Sequence, residues 1–148
     1  MSARGRLVVI TGPSGVGKST IVAQVLARTE ARYSISATTR ARRSGETDGE
    51  DYYFVTKPVF ENMIETGKLL EWAQVFGGEY YGTPLEPVRD ALASGAAMIL
   101  EIDVQGGLLV HRKMPDADYV LILPPDEETL AKRLTGRGTE AQDAAAER

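Results

Sequence analysis

The stretch Gly12-Pro13-Ser14-Gly15-Val16-Gly17-Lys18-Ser19 fits the spacing G-x-x-x-x-G-K-[ST]. Polyphosphate oxygens need many donors at close range. Glycines let the backbone curl so that successive N–H groups face inward. A helix starting at Ser19 would add the positive end of its dipole. Lys18 would reach between β- and γ-phosphates, and the Ser19 hydroxyl would ligate Mg²⁺. Gly12 through Ser19, with Thr20 behind it, is therefore a candidate nucleoside triphosphate cradle. A chance glycine-rich turn is the alternative, but a strand before the loop and an amphipathic helix after it argue against chance. The loop does not name a second substrate.

A second candidate lies at the end of Met98-Ile99-Leu100-Glu101-Ile102-Asp103. Residues i and i+2 of a strand share a face, and open α/β sheets bind ligands beyond the carboxyl ends of their strands. Glu101 and Asp103 are thus expected to meet Mg²⁺, its waters or the second substrate. The alternative is an ordinary polar strand exit. The charged run Arg40 to Asp51 reads, taken alone, as a solvated loop.

Composition removes other chemistries. The chain has 148 residues, enough for one domain with one core. Without cysteine there is no disulfide, thiolate zinc site or thiol nucleophile. The one histidine, His111, cannot build a multi-histidine metal site and reads as an exposed residue near a helix end. A formal net charge of -4 gives no basic bias toward nucleic acid or anionic membrane. Leu7 to Ile10 is too short for a signal-peptide core, and no apolar run reaches the length of a membrane span. The expected location is cytoplasmic. The sequence sets no oligomeric state.

The elements that must position these residues follow from periodicity. Arg6 to Thr11 predicts a buried strand, and Ser19 to Arg28 a helix with Ile21, Val22, Val25 and Leu26 on one face. Tyr33 to Thr39 predicts a second strand and Tyr52 to Thr56 another. Pro58 to Thr66 predicts a helix presenting Val59, Phe60, Met63 and Ile64, closed by Gly67. Leu69 to Val75 predicts a strand, and Gly77-Gly78 a turn. Thr83-Pro84-Leu85-Glu86 predicts a helix start with Thr83 as cap and Glu86 completing a capping box. That helix ends near Gly95. Ala96 to Ile102 and Tyr119 to Leu123 predict buried strands, and Asp126 caps a helix carrying Leu130, Arg133 and Leu134. The alternation points to an α/β fold with a mostly parallel sheet, interrupted by a polar excursion between residues 40 and 95.

The run from Thr38 to Val55, TTRARRSGETDGEDYYFV, resembles the GMP-binding signature of guanylate kinases. Further matches, in the family's order, are Glu71-Trp72-Ala73, Tyr80-Tyr81-Gly82-Thr83, Glu101-Ile102-Asp103-Val104-Gln105-Gly106 and Arg133-Leu134-Thr135-Gly136-Arg137-Gly138-Thr139. The resemblance spans about Leu7 to the last residue. It implies a P-loop NTPase-type parallel sheet flanked by helices, formed by about 1–35 and 96–125. It also implies a GMP-binding α+β insertion over about 36–95 and a lid over about 126–148, all within one domain, 1–148.

The resemblance further implies an ATP-dependent kinase that converts GMP to GDP with Mg²⁺. Arg40, Arg43, Tyr52 and Tyr81 would hold the GMP phosphate. Ser36, Glu71, Thr83 and Asp103 would surround the guanine, with Glu101 beside them. Ser19 and Asp103 would meet Mg²⁺, partly through water. Arg133 and Arg137 would approach the transferring phosphoryl group, and Arg148 matches a further lid arginine. Chemistry supports these assignments. Two arginine forks and two phenols suit a near-dianion. Carboxylates accept from guanine N1–H and N2–H₂, and hydroxyls can donate to O6. Adenine would leave such a carboxylate unpaired, and hydrogen-bonding sites discriminate by roughly 10⁴ or more.

The chain departs from the family pattern at Arg42, where proline is frequent, and at Gly77-Gly78-Glu79, one residue longer than in many relatives. The resemblance ends inside the lid, so the chain is expected to be a C-terminally shortened form. It would lack a core strand and a helix and leave Tyr119 to Leu123 as a sheet edge. Competing readings are a ribose 1,5-bisphosphate kinase, a guanylate-kinase-like protein-binding scaffold domain and an inactive fragment. Glu71 and Thr83 weigh against the first. The intact Gly17-Lys18-Ser19 weighs against the second.

Overall fold

The structure, a computed structural model, describes residues 3–75 and 77–125. Its elements run β1 (Arg6–Thr11), α1 (Lys18–Arg28), β2 (Arg32–Tyr33), β3 (Ala37–Thr38), β4 (Tyr53–Phe54), α2 (Lys57–Glu65), β5 (Leu69–Gln74), β6 (Tyr80–Pro84), α3 (Leu85–Ala93), β7 (Ala97–Ile102), α4 (Val104–Lys113) and β8 (Asp118–Leu121). They form two sheets. The first has the order β2-β7-β1-β8, every pairing parallel. The second has the order β4-β3-β6-β5, with β6 antiparallel to both of its neighbours.

The first sheet is covered on both faces, as its apolar strands require. Leu7, Val9, Met98 and Leu100 pack with Val88, Ala91 and Leu92 of α3 and Val110 of α4. Ile10 and Ile99 pack with Val22, Val25 and Leu26 of α1 on the other face. The second sheet closes over α2 through Ala37, Phe60 and Leu69. β8 is the outer strand among those described, and Val120 and Leu121 are exposed there. Its near end is tied to β1 by Arg6, whose guanidinium donates twice to Asp118 at 2.7 Å.

Several local expectations are corrected. The strand expected buried over Tyr119 to Leu123 runs Asp118–Leu121 with Val120 and Leu121 exposed, and Ile21 is exposed beside the packed Val22, Val25 and Leu26. Tyr33 to Thr39 is not one strand. Ser34 N–H still bonds Ile99 O of the first sheet, whereas Ser36 O already accepts from Tyr53 N–H in the second. The chain changes sheets at Ser34 to Ser36, and that crossing creates a cleft between the sheets. Thr83 does not cap α3; it lies on β6, and Pro84 takes the cap position without a side-chain bond. Val59 is 49% exposed, because Phe60, Met63 and Ile64 face the sheet and Val59 stands one position off them. Asp103 is not a strand residue. β7 ends at Ile102, and Asp103 caps α4 by accepting from Gly106 N–H at 2.7 Å.

Helix α4 itself is hard to read from the sequence. Gly106 and Gly107 are poor helix formers. They are needed because a Cβ at 106 would run into Ile102, and one at 107 would crowd the Thr11 hydroxyl at 3.2 Å. The pair lets α4 lie close on the sheet. His111 sits exposed in its last turn, edge-on to Tyr119 at 5.0 Å between ring centres. The helix expected from Asp126 lies outside the described residues.

Candidate active site

β1 delivers the chain to the phosphate loop, and α1 carries it away. Gly12, Gly15 and Gly17 have φ of 154°, 81° and 103°, a region that side-chain-bearing residues rarely occupy. At Gly12 a Cβ would also strike Ile122 O. The loop therefore wraps back over the start of α1. Lys18 is only 8% exposed, and its ammonium donates to Gly12 O at 2.6 Å, so the cationic head is held inside the ring its own loop makes.

The first turn of α1 meets the end of β7. The Ser19 hydroxyl donates to Glu101 Oε1 at 2.7 Å. The Tyr33 phenol, at the end of β2, lies beside the same carboxylate. It is pushed up to about 12, first by desolvation, then by the Glu101 and Tyr52 charges and a hydrogen bond to Glu101. Parallel pairing of β1 and β7 sets this junction, since Thr11 and Ile102 are register partners.

Across the cleft stands the second sheet. Glu71 on β5 and Thr83 on β6 are register partners, both buried. The Thr83 hydroxyl donates to Glu71 Oε1 at 2.8 Å. Gly82 is the neighbour that keeps this hairpin tight, because a Cβ there would press on Phe60 and on Glu71 O, both at 3.0 Å. Tyr80 and Tyr81 point opposite ways. Tyr80 stacks on Phe60 at 4.9 Å, whereas Tyr81 faces the cleft.

The loop after β3 brings the basic residues. Arg40 donates through Nη1 and Nη2 to the two oxygens of Glu46, both at 2.9 Å, and through Nε to the Tyr81 hydroxyl at 3.1 Å. Its guanidinium lies 5.2 Å from the centre of the Tyr52 ring. The Arg43 main-chain N–H donates to Glu46 Oε1 at 2.7 Å. Arg40 holds the Glu46 carboxyl down at about 2, with the Arg43 main chain adding to the effect. Arg40 is correspondingly held above its ordinary value, first by Glu46.

These parts enclose a cavity of about 450 Å³. Lys18, Ser19, Ser36, Tyr52, Glu71, Tyr81, Glu101 and Asp103 all line it. Of the other expected residues, Thr83 stands behind Glu71, Arg40 behind Glu46 and Tyr81, and Arg43 at the Glu46 turn. Gly12 to Gly17 curl around the Lys18 end, and Thr20 follows in α1. Arg133, Arg137 and Arg148 lie outside the described residues. Tyr33, Glu46, Asp51 and Gln105 line the cavity too and were not singled out from the sequence. Glu46 had a signal in hindsight: an acid set among three arginines.

The donor set at the cradle suits Mg²⁺ carried by a nucleotide. That ion takes one or two protein ligands and keeps phosphate oxygens and water for the rest. Ser19 and Glu101 offer one hydroxyl and one carboxylate side by side. Among the described residues no group of three or more acidic or imidazole side chains forms a cage of its own. Nor, among those residues, is any helix long and apolar enough to cross a membrane.

The chain as a whole is similar to known proteins. The family model described as guanylate kinase matches residues 4–148. A guanylate kinase of Nocardia farcinica is 52% identical over 147 residues, covering 98% of this chain and 76% of the relative. One from Streptococcus thermophilus is 47% identical over 150 residues, covering 100% and 71%. The crystal structure of guanylate kinase from Anaplasma phagocytophilum superposes with a TM-score of 0.75 at 32% identity, covering 99% of this chain and 71% of that one.

Proposed function

This chain belongs to the guanylate kinase family, and we infer that it transfers the γ-phosphoryl group of ATP to GMP, giving ADP and GDP. The observation that carries the residue-level reading is the convergence on one cavity. Lys18 and Ser19 stand on one wall, and Glu71, Tyr52 and Tyr81 on the other.

In this reading ATP lies along the loop Gly12 to Ser19, with Thr20 behind it. Lys18 leaves Gly12 O for the β- and γ-phosphate oxygens. Donating its proton to Glu101 turns the lone pairs of Ser19 toward the cleft, the orientation a metal ligand needs. Ser19, with Glu101 beside it, would hold the Mg²⁺ that comes with the nucleotide, and the ion would supply positive charge to the phosphates. Asp103 faces the cleft from the head of α4 and contributes through water.

GMP lies against the second sheet. Glu71 accepts from guanine N1–H and N2–H₂, and Thr83 fixes the carboxylate rotamer. Ser36 donates to O6. The nearly dianionic phosphate meets the charges of Arg40 and Arg43 and the hydroxyls of Tyr52 and Tyr81. Transfer then needs alignment and positive charge rather than covalent help from the protein. Arg133, Arg137 and Arg148 add to that charge in this proposal. The division into a sheet core, a GMP-binding unit over about 36–95 and a lid over about 126–148 belongs to the same reading.

The test is GMP-dependent ADP release in the presence of Mg²⁺, with AMP and ribose 1,5-bisphosphate as alternative acceptors. Release with GMP alone is expected. A folded sample that releases no ADP with GMP, or prefers a control acceptor, overturns the reading.

A further inference from the structure

We propose that Glu46 is a positioning residue for the acceptor phosphate. It grips one edge of the Arg40 guanidinium, so that the opposite edge meets the phosphate beside the Tyr81 hydroxyl. The inference rests on the reading of the cavity as the GMP site.

Donor arithmetic carries it. A guanidinium has five N–H groups in a rigid plane. The two that form the end fork, one on each Nη, go to the two oxygens of Glu46. The second N–H of Nη1 goes to Ala41 O at 2.9 Å. Nε–H is on the Tyr81 hydroxyl. Among the described residues the N–H left over is the second one of Nη2, and in a planar guanidinium it lies on the Nε side. The edge formed by Nε and Nη2 therefore carries the Tyr81 bond and the one open donor of Arg40. That edge borders the hydroxyl of Tyr81, a residue that lines the cavity. A phosphate oxygen reaching Tyr81 finds this edge next to it.

Glu46 is built in to hold that orientation. Its carboxylate also accepts from Arg43 N–H at 2.7 Å, its own N–H donates to Arg43 O at 3.1 Å, and its carbonyl accepts from Arg42 Nη1 at 2.6 Å. One residue thus closes the turn that carries all three arginines. The Tyr52 and Phe54 rings, 5.2 and 5.7 Å from the guanidinium carbon, further limit rotation of its plane. The ion pair is sheltered, with side chains 15% and 20% exposed, and is bidentate, unlike the mobile surface pairs that contribute little. Glutamine could not substitute. It offers one acceptor and would set its own NH₂ against an arginine N–H. Aspartate is one methylene too short to reach the fork without moving the turn.

The test is steady-state kinetics of Glu46→Gln, Arg40→Lys and the double variant, with guanosine affinity measured on each. For E46Q a rise of about tenfold in KM for GMP with kcat within about twofold is expected, since binding rather than chemistry is disturbed. Guanosine, which lacks the phosphate, is expected to bind E46Q as it binds the wild type. In the R40K background, where no fork exists, adding E46Q is expected to change KM by less than about twofold. A merely structural Glu46 would lower guanosine affinity in parallel and act additively with R40K, and either result overturns the proposal. A fall in KM would overturn it too, making the carboxylate a competitor of the phosphate. If E46Q does not fold, E46D takes its place with the same expected pattern. Wild-type activity with GMP is the control: its loss removes the functional reading, whereas an active wild type with an unchanged E46Q removes only this proposal.

Discussion

The Thr83 hydroxyl donates to Glu71 Oε1 at 2.8 Å between two adjacent buried strands. This spends the one proton of Thr83 on the carboxylate. In the proposed reading Thr83 therefore acts on guanine through Glu71 rather than by donating to O6, which the sequence alone had allowed. Thr83→Val keeps the shape and removes the donor. Hydrogen bonds to charged groups contribute about 1.5–3 kcal/mol. Glu71 stays buried in the variant's hairpin, so a rise of about tenfold in KM for GMP, near the lower end of that range, with little change in kcat is expected. Thr83→Ser should behave as wild type. Steady-state kinetics on the two variants checks this, and equal behaviour of Val and Ser would refute it.

The Ser19–Glu101 bond predicts a different phenotype. Glu101→Gln leaves Ser19 facing an amide that can donate as well as accept, so its lone pairs are no longer held toward the nucleotide. E101Q should need more Mg²⁺ for half-maximal rate and lose about 10²-fold in kcat, the scale of a misplaced electrostatic group. GMP affinity should stay within about twofold, because the change acts on the donor side. A Mg²⁺ titration of the rate at saturating ATP and GMP, with GMP binding measured calorimetrically, reads both quantities. An unchanged Mg²⁺ requirement would remove the assigned role of the pair.

Lys18 offers a sharper separation of binding from transfer. Its ammonium sits inside the loop, bonded to Gly12 O in the free chain. Lys18→Ala should lower kcat by about 10³-fold or more, because it removes the one assigned cation that is held inside the phosphate loop itself. GMP, bound on the opposite wall, should be retained. Single-turnover transfer and GMP binding on one preparation decide the matter: surviving transfer would reassign the residue.

Much of this was legible in the sequence because local rules and global fold agree. The phosphate loop needs glycines where φ is positive, and β1 and β7 are continuous apolar runs of the kind a doubly covered parallel sheet demands. The parts that were not legible depend on partners far away in the chain. Tyr33 to Thr39 alternates like one strand, yet Ser34 and Ser36 bond to different sheets. Thr83 has every local feature of a helix cap, but pairing with Glu71 twelve residues back keeps it in β6 and leaves the cap position to Pro84. Arg40 and Glu46 look like members of a solvated loop until Tyr81 and Tyr52 shelter them. Tyr33 became visible only when β2 laid it beside Glu101.

The Arg40–Glu46 pair also makes a prediction about pH. Glu46 is held at about 2 in the folded chain, first by hydrogen bonding to Arg40, against an ordinary carboxyl value of 4.5. A carboxyl depressed by folding stabilises the fold fully above its unfolded value. That contribution is lost as pH falls from about 4.5 toward 2. Arg40 is raised and stays charged throughout. Two consequences follow. Between pH 5 and 8 the clamp does not titrate, so Glu46 adds no inflection to the pH dependence of KM for GMP. Below pH 4.5 wild type should lose stability faster than Glu46→Gln, because the variant has no such proton to take up. Urea unfolding of both proteins at pH 6, 4 and 3 measures this directly. The stability gap between them should be widest at pH 6 and narrow steadily toward pH 3. A gap that stayed constant would mean that the Glu46 carboxyl takes up its proton equally in the folded and unfolded chain, and that the clamp on Arg40 carries no stabilisation.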